Sequence, residues 1–278
     1  MKAKNLIITA LTIFTLFANA QRKMGGASKK AFEHLKASKL QVSVGNISED
    51  YDSTIKDALE KYWTLCPLEF VDSKSLNEKN PTLLTANYEV KSYTRSMFTK
   101  LTLTTDDHLY FTFDFDNLTA NDECMGIDKT ETELKYKCVI AIMNLCAQLK
   151  MLEPAIANKD RSYLSFDGFK EKLKTTTVLI PKEYLTNGLT KNAFKKLPKH
   201  EFVSLEEINK RITDKKTKGY AVLNTYRTIE SGSFLNIIDI DTGDFLLYRE
   251  FGFVTMKGNV SKQEKVTDKD IIKELENL

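Results

Sequence analysis

The chain has 278 residues, 42% hydrophobic and 28% charged, with 41 Lys+Arg against 38 Asp+Glu and a formal net charge of +3. So balanced a chain offers no global field for nucleic acid or an acidic membrane, and its apolar content is ample for packed cores. At this length two domains are the expectation.

The first twenty residues read as a secretory signal peptide. Lys2 and Lys4 form a positive start, Leu6 to Phe17 is apolar apart from threonines, and Ala18-Asn19-Ala20 is a small-x-small cleavage site. Cleavage between Ala20 and Gln21 is expected, giving a periplasmic or secreted protein close to electrical neutrality. The apolar run of about a dozen residues is shorter than the roughly 18–20 that span a bilayer. No cysteine follows the cleavage site to carry a lipid. The ending "ANAQ" resembles a Bacteroidetes-type secretory signal.

Residues 21–38 are rich in Lys and Arg and read as a basic, flexible segment. "KLQVSVGN" is a short β-branched run ended by a breaker, hence a strand. "STIKDALEKYW" places Ile55, Ala58, Leu59 and Tyr62 at helical spacing, and Pro67 stops that helix. "LEFV" follows as a short strand, and Ser73 can cap a short helix. Two long strands joined through "LTTDDHL" complete the unit. Their aromatics, Tyr88, Tyr93, Phe98, Tyr110, Phe111, Phe113 and Phe115, are assigned to core packing rather than to a stacking platform for sugars or single strands.

"TELKYKCVIAIMNLCAQLKMLEP" is a helix apolar around most of its circumference, which means burial on more than one side. Thr130 or Thr132 caps it and Pro154 ends it. "NKDRSYLSFDGFKEKLK" is a connector.

The second half then repeats the first. Glu69-Phe70-Val71 matches Glu201-Phe202-Val203, with Pro67 and Pro198 just before. Asn87 matches Asn224, Leu101 and Leu103 match Ile238 and Ile240, and Thr105 and Asp107 match Thr242 and Asp244. The spacing changes in "TDKKTKG", a polar stretch where a loop insertion is tolerated. "TTTVLIP" and "HEFV" are strands, "LTKNAFKKL" a helix, and Ser204 a cap for a helix holding Leu205 and Ile208. "IDTGDFL" is hairpin chemistry, with Gly243 free to take positive φ.

The fold class is therefore α/β (α+β), a tandem duplication of a β-α-β-α-β-β unit with mixed sheet, joined by a buried helix. The divisions are 1–20 signal peptide, 21–38 basic segment, 39–128 first unit, 129–174 linking helix and connector, 175–260 second unit, and 261–278 polar tail.

Signals for chemistry are sparse. His34, His108 and His200 lack partners at metal-ligand spacing. No nucleophile elbow, phosphate-binding loop or dinucleotide fingerprint occurs. Asp239, Asp241 and Glu250 fall at calcium-loop positions 1, 3 and 12. Position 6 needs glycine there and holds Asp244. "DFDN", Asp114 to Asn117, reads as a solvated strand face. Asp52-Ser53-Thr54 resembles a Bacteroidetes O-glycosylation motif, and a helix N-cap explains Ser53 equally well. Cys138 and Cys146 lie eight apart on one helix, roughly 12 Å of rise, too far to bond to each other. They read as buried thiols. Cys124, in a polar loop, is the better candidate for reactivity or pairing; whether it or Cys66 pairs is open.

On its order of elements and the hairpin Asp239–Tyr248, each half resembles the α/β domain of bacterial envelope proteins such as the TolB amino-terminal domain and the curli secretion lipoprotein. The resemblance covers Lys39–Phe115 and Thr175–Phe253 and implies an envelope or secreted interaction module. The expected function is a non-catalytic interaction or assembly module of the bacterial cell envelope, with an envelope protein as partner, no cofactor, no metal, no nucleic acid and no transmembrane span. The alternative is a soluble ligand-binding protein using the cleft between the units.

Overall fold

The computed structural model describes residues 29–45, 48–77, 80–91, 96–104, 111–114, 131–158, 165–166, 170–186, 189–228, 232–251 and 266–276. The cleavage position Ala20/Gln21, His108, Cys124 and Asp116 lie outside them. The strand elements are β1 Leu40–Val44, β2 Leu68–Asp72, β3 Thr82–Lys91, β4 Ser96–Thr104, β5 Phe111–Asp114, β6 Ser165–Phe166, β7 Thr177–Pro181, β8 His200–Val203, β9 Tyr220–Thr228, β10 Gly232–Asp239 and β11 Phe245–Phe251. The α-helices are α1 Lys29–Ala37, α2 Glu49–Tyr62, α3 Glu131–Asn158, α4 Lys170–Leu173, α5 Glu183–Thr186, α6 Leu205–Thr213 and α7 Asp268–Leu275.

They build two mixed sheets. The five-stranded sheet runs β2-β1-β3-β4-β5, and the six-stranded sheet runs β6-β11-β10-β9-β7-β8. In the first, β1 lies parallel to β2 and β3, and β3-β4-β5 continue antiparallel. In the second, β7 lies parallel to β8 and β9, and β9-β10-β11 continue antiparallel. The order and sense of pairing are the same in both, with β6 added to the second. Parallel neighbours need a crossover, and α2 supplies it in the first unit.

Residue matching is looser than the sequence implies. Glu69 stands against Gln41 as Glu201 stands against Leu179. Gln41 then faces Thr82, and Leu179 faces Val222. Carried across the hairpins, Leu83 faces Leu103, and Leu223 faces Ile237. Leu103 therefore corresponds to Ile237, not to Ile240. By the same register Leu84, not Asn87, corresponds to Asn224. Beyond Leu84, a bulge before Asn87 shifts the rest of the β3–β4 pairing further relative to β9–β10.

Several elements differ from expectation. Ser73 opens a 3-10 turn capped by the Asp72 side chain, not an α-helix. "LTKNAFKKL" forms the 3-10 turn Lys191–Phe194, with α5 before it. Pro154 lies inside α3 rather than at its end. Helical φ suits proline, and the chain continues to Asn158 at the cost of one backbone hydrogen bond. The connector contains β6, paired to β11, and α4. The segment expected to be flexible over 21–38 contains α1, which buries Ala31, Phe32 and Leu35. The expected polar tail contains α7, which buries Ile271 and Leu275. Thr267 and Asp270 form a full capping box at its start. Thr190 reaches across to Asp268 with both its backbone N–H and its hydroxyl, at 2.9 and 2.5 Å.

As expected, the linking helix is buried. Every residue of α3 from Tyr136 to Leu149 is buried, including Lys137, Asn144 and Gln148. It packs against α2 of the first unit and α6 of the second. The core is continuous: one cluster runs from Ala31 in α1 through α3 to Leu275 in α7. At roughly 1.5–3 kcal/mol per fully buried large apolar side chain, α3 is a principal source of cohesion between the units.

Candidate functional site

The expected hairpin turn over Ile240–Asp244 is where the first unit grips the second. Gly243 takes φ +73 and its N–H donates to the Asp239 carbonyl at 2.8 Å. A glycine is needed twice over here. A side chain would sit in the left-handed region, and a Cβ would lie 2.7 Å from Cδ1 of the Tyr62 ring. Tyr62, at the end of α2, donates its hydroxyl to the Ile240 carbonyl at 2.6 Å. Lys61 Nζ donates to the same carbonyl at 3.0 Å.

The acids of this turn are held by protein groups. Asp239, buried, takes the backbone N–H of Asp241 and Thr242 on Oδ1, at 2.8 and 3.1 Å, and Lys172 of α4 on Oδ2 at 2.7 Å. Asp241 accepts from the Thr217 hydroxyl at 2.6 Å. Asp244 accepts from Lys150 of α3 at 2.9 Å. Lysines from α2, α3 and α4 thus converge on one turn. Burial lowers the Lys61 pKa, while Asp241 and Asp239 pull it back up. Burial, reinforced by the same aspartates, raises the Tyr62 hydroxyl. Among the described residues no group of His, Cys, Asp and Glu is arranged to hold a metal ion.

The terminal strands of the two sheets, as ordered among the described residues, are the other feature of note. β2 and β8 are terminal strands, each paired on one side to β1 or β7. Leu40 N–H donates to the Pro67 carbonyl, and Val178 N–H to the Lys199 carbonyl. The alternation of a parallel ladder then turns the backbone groups of Leu68 and Phe70, and of His200 and Phe202, away from their sheets. The two margins share chemistry. Lys56 Nζ lies 5.6 Å from the Phe70 ring centre, and Lys191 Nζ lies 5.7 Å from that of Phe202. Both rings are partly buried against the core. The two copies of Glu-Phe-Val therefore sit at equivalent edges.

The remaining candidates do not assemble. His34 is half-buried on α1, and His200 packs edge-on against Phe202. Cys138 and Cys146 are buried free thiols, each pushed up by burial to about 12. Cys66 is half-buried and also raised by burial. Among the described residues, His34, His200 and these thiols form no metal-binding group, and the thiols form no disulfide. Ser48, not Ser53, caps α2, and Ser53 is exposed on the helix. The set of lysines on this turn carries no local sequence signal, because Lys61, Lys150 and Lys172 come from three distant helices.

No described helix is long and apolar enough to cross a membrane. No family model matches the chain, and neither does any curated protein or solved structure.

Proposed function

We propose that this protein is a non-catalytic, exported binding module that engages an extended segment of an envelope protein along the sheet margins β2 and β8. The observation that carries this reading is the pair of equivalent edges. Each presents outward backbone groups and a lysine-covered phenylalanine next to them. An extended chain can add to such an edge through main-chain hydrogen bonds, with side-chain pockets choosing the sequence. Natural edges are usually blunted by charge or covered; these carry Lys56 and Lys191 over the rings of Phe70 and Phe202. Export rests on the residues up to Gln21, and the repeated unit order is consistent with an origin by duplication.

A ligand cleft between the units has less support. α3 fills the junction, and Tyr62 reaches directly into the Ile240–Asp244 turn.

The test is affinity capture of tagged Gln21–Leu278 from a crosslinked envelope fraction, beside edge-blocked variants. Leu68→Pro and His200→Pro each remove an outward N–H without touching the inward ladder. Loss of one specific partner from both variants, with Lys210→Ala at an exposed position of α6 retaining it, supports the reading. Equal recovery by all three chains removes it.

A further inference from the structure

Between α3 and the second sheet lies a buried row of amides whose orientations are fixed by their bonds. Tyr184 of α5 receives the Thr225 backbone N–H at 3.2 Å, so its hydroxyl proton goes to Asn224 Oδ1 at 3.2 Å. That leaves Asn224 Nδ2 as a donor. On α3, Asn144 Nδ2 donates to the Ile140 carbonyl at 2.8 Å, which turns its Oδ1 outward. Asn236 Nδ2 donates to that oxygen at 2.5 Å. That leaves Asn236 Oδ1 as an acceptor.

Asn224 and Asn236 stand directly opposite each other on β9 and β10. Both are fully buried. Neither Asn224 Nδ2 nor Asn236 Oδ1 has a protein partner. A donor and an acceptor thus lie on one face of adjacent strands, unpaired, and each is costly to leave dry. The Tyr136 hydroxyl of α3 is also buried and unpartnered, and it interacts electrostatically with Tyr184.

The first unit treats the corresponding place differently. There Tyr51 of α2 donates to the Thr85 carbonyl at 2.8 Å, and Ser43 and Thr85 satisfy each other through hydroxyl and backbone at 2.8 and 3.2 Å. Leu84 takes the register position of Asn224, so no amide needs a partner there. The open pair belongs to the second unit.

We propose that the second unit holds a structural water between α3 and strands β9 and β10, accepting from Asn224 Nδ2 and donating to Asn236 Oδ1. Water is the ligand because one donor and one acceptor, both neutral, match its two faces. Buried waters typically make about three such bonds in an otherwise packed interior. The water bridges the strand pair beside the helix that joins the units, and so completes the polar contact through which Asn144 sets the position of α3.

The test is a crystal structure of Gln21–Leu278 at about 1.5 Å. The expected result is an ordered water within about 2.7–3.2 Å of both atoms. A direct amide-to-amide bond, or dry density between them, overturns the proposal. In solution, the Asn224 side-chain N–H groups should show a nuclear Overhauser contact to long-lived water. Absence of that contact, with the amide assigned and protected from exchange, overturns it as well.

Discussion

Gly243 carries two constraints at once, a left-handed backbone and the face of the Tyr62 ring. Gly243→Ala should therefore lower stability by about 1–3 kcal/mol, read from the urea midpoint. The same substitution at Gly219, which also has positive φ but no atom within 4 Å of a Cβ, should cost less. Equal losses at both sites would mean that the Tyr62 contact contributes nothing. Asp239→Ala removes the Lys172 partner and the acceptor for the Asp241 and Thr242 N–H groups. A loss of about 2–4 kcal/mol is expected, since the donors are left inside the turn. The turn itself was legible: Thr-Gly-Asp between apolar runs specifies a hairpin, and Gly243 has the expected backbone. Its use was not. Tyr62 and Lys61 lie far away in the chain, and nothing near "DIDTGD" signals that they converge there.

At the scale of elements, α3 is governed by burial. Its apolar run showed that several faces are covered, and its thiols are buried as expected. Their pKa values, raised from 9.0 to about 12, work on stability with one sign. The unfolded chain loses these protons first as pH rises. The stabilising contribution is thus full below pH 9 and drains away between about pH 9 and 12. Alkaline unfolding should be shallower for Cys138→Ala and Cys146→Ala than for the parent chain, after each is normalised to its stability at pH 7. α7 makes a second case. Thr267→Ala removes one side of the capping box and should cost about 1 kcal/mol, visible as faster hydrogen exchange over Ile271–Leu275. The two terminal helices were hidden by composition. Lys and Glu surround Phe32 and Leu35, and Ile271 and Leu275, so the average reads as a solvated tail. Helical spacing of the apolar pairs was the available signal. Pro154 misled in the opposite direction, because a proline near a helix end is more often a stop than a passenger.

The molecule as a whole is two like sheets made into one body. The two sheets share one order and sense of pairing, the kind of pattern expected from the repeated phrases in the sequence. Register was beyond reach: sheet pairing puts Leu84 at the position of Asn224 and Leu103 at that of Ile237, and apolar residues recur along the strands closely enough for the sequence match to settle elsewhere. The junction was legible in part: the apolar run of α3 was expected as a buried helix joining the units, and it is buried and packs against α2 and α6. The proposed function places binding on β2 and β8, the terminal strands that match in order and pairing. The most direct measurement is equilibrium unfolding in urea, followed by fluorescence of Trp63, the one tryptophan in the chain and part of the first unit, and by far-ultraviolet circular dichroism over both units. Coincident transitions are predicted, with one midpoint and one slope. A Trp63 transition separated from the loss of total secondary structure would contradict the account and return the cleft between the units as a place to bind.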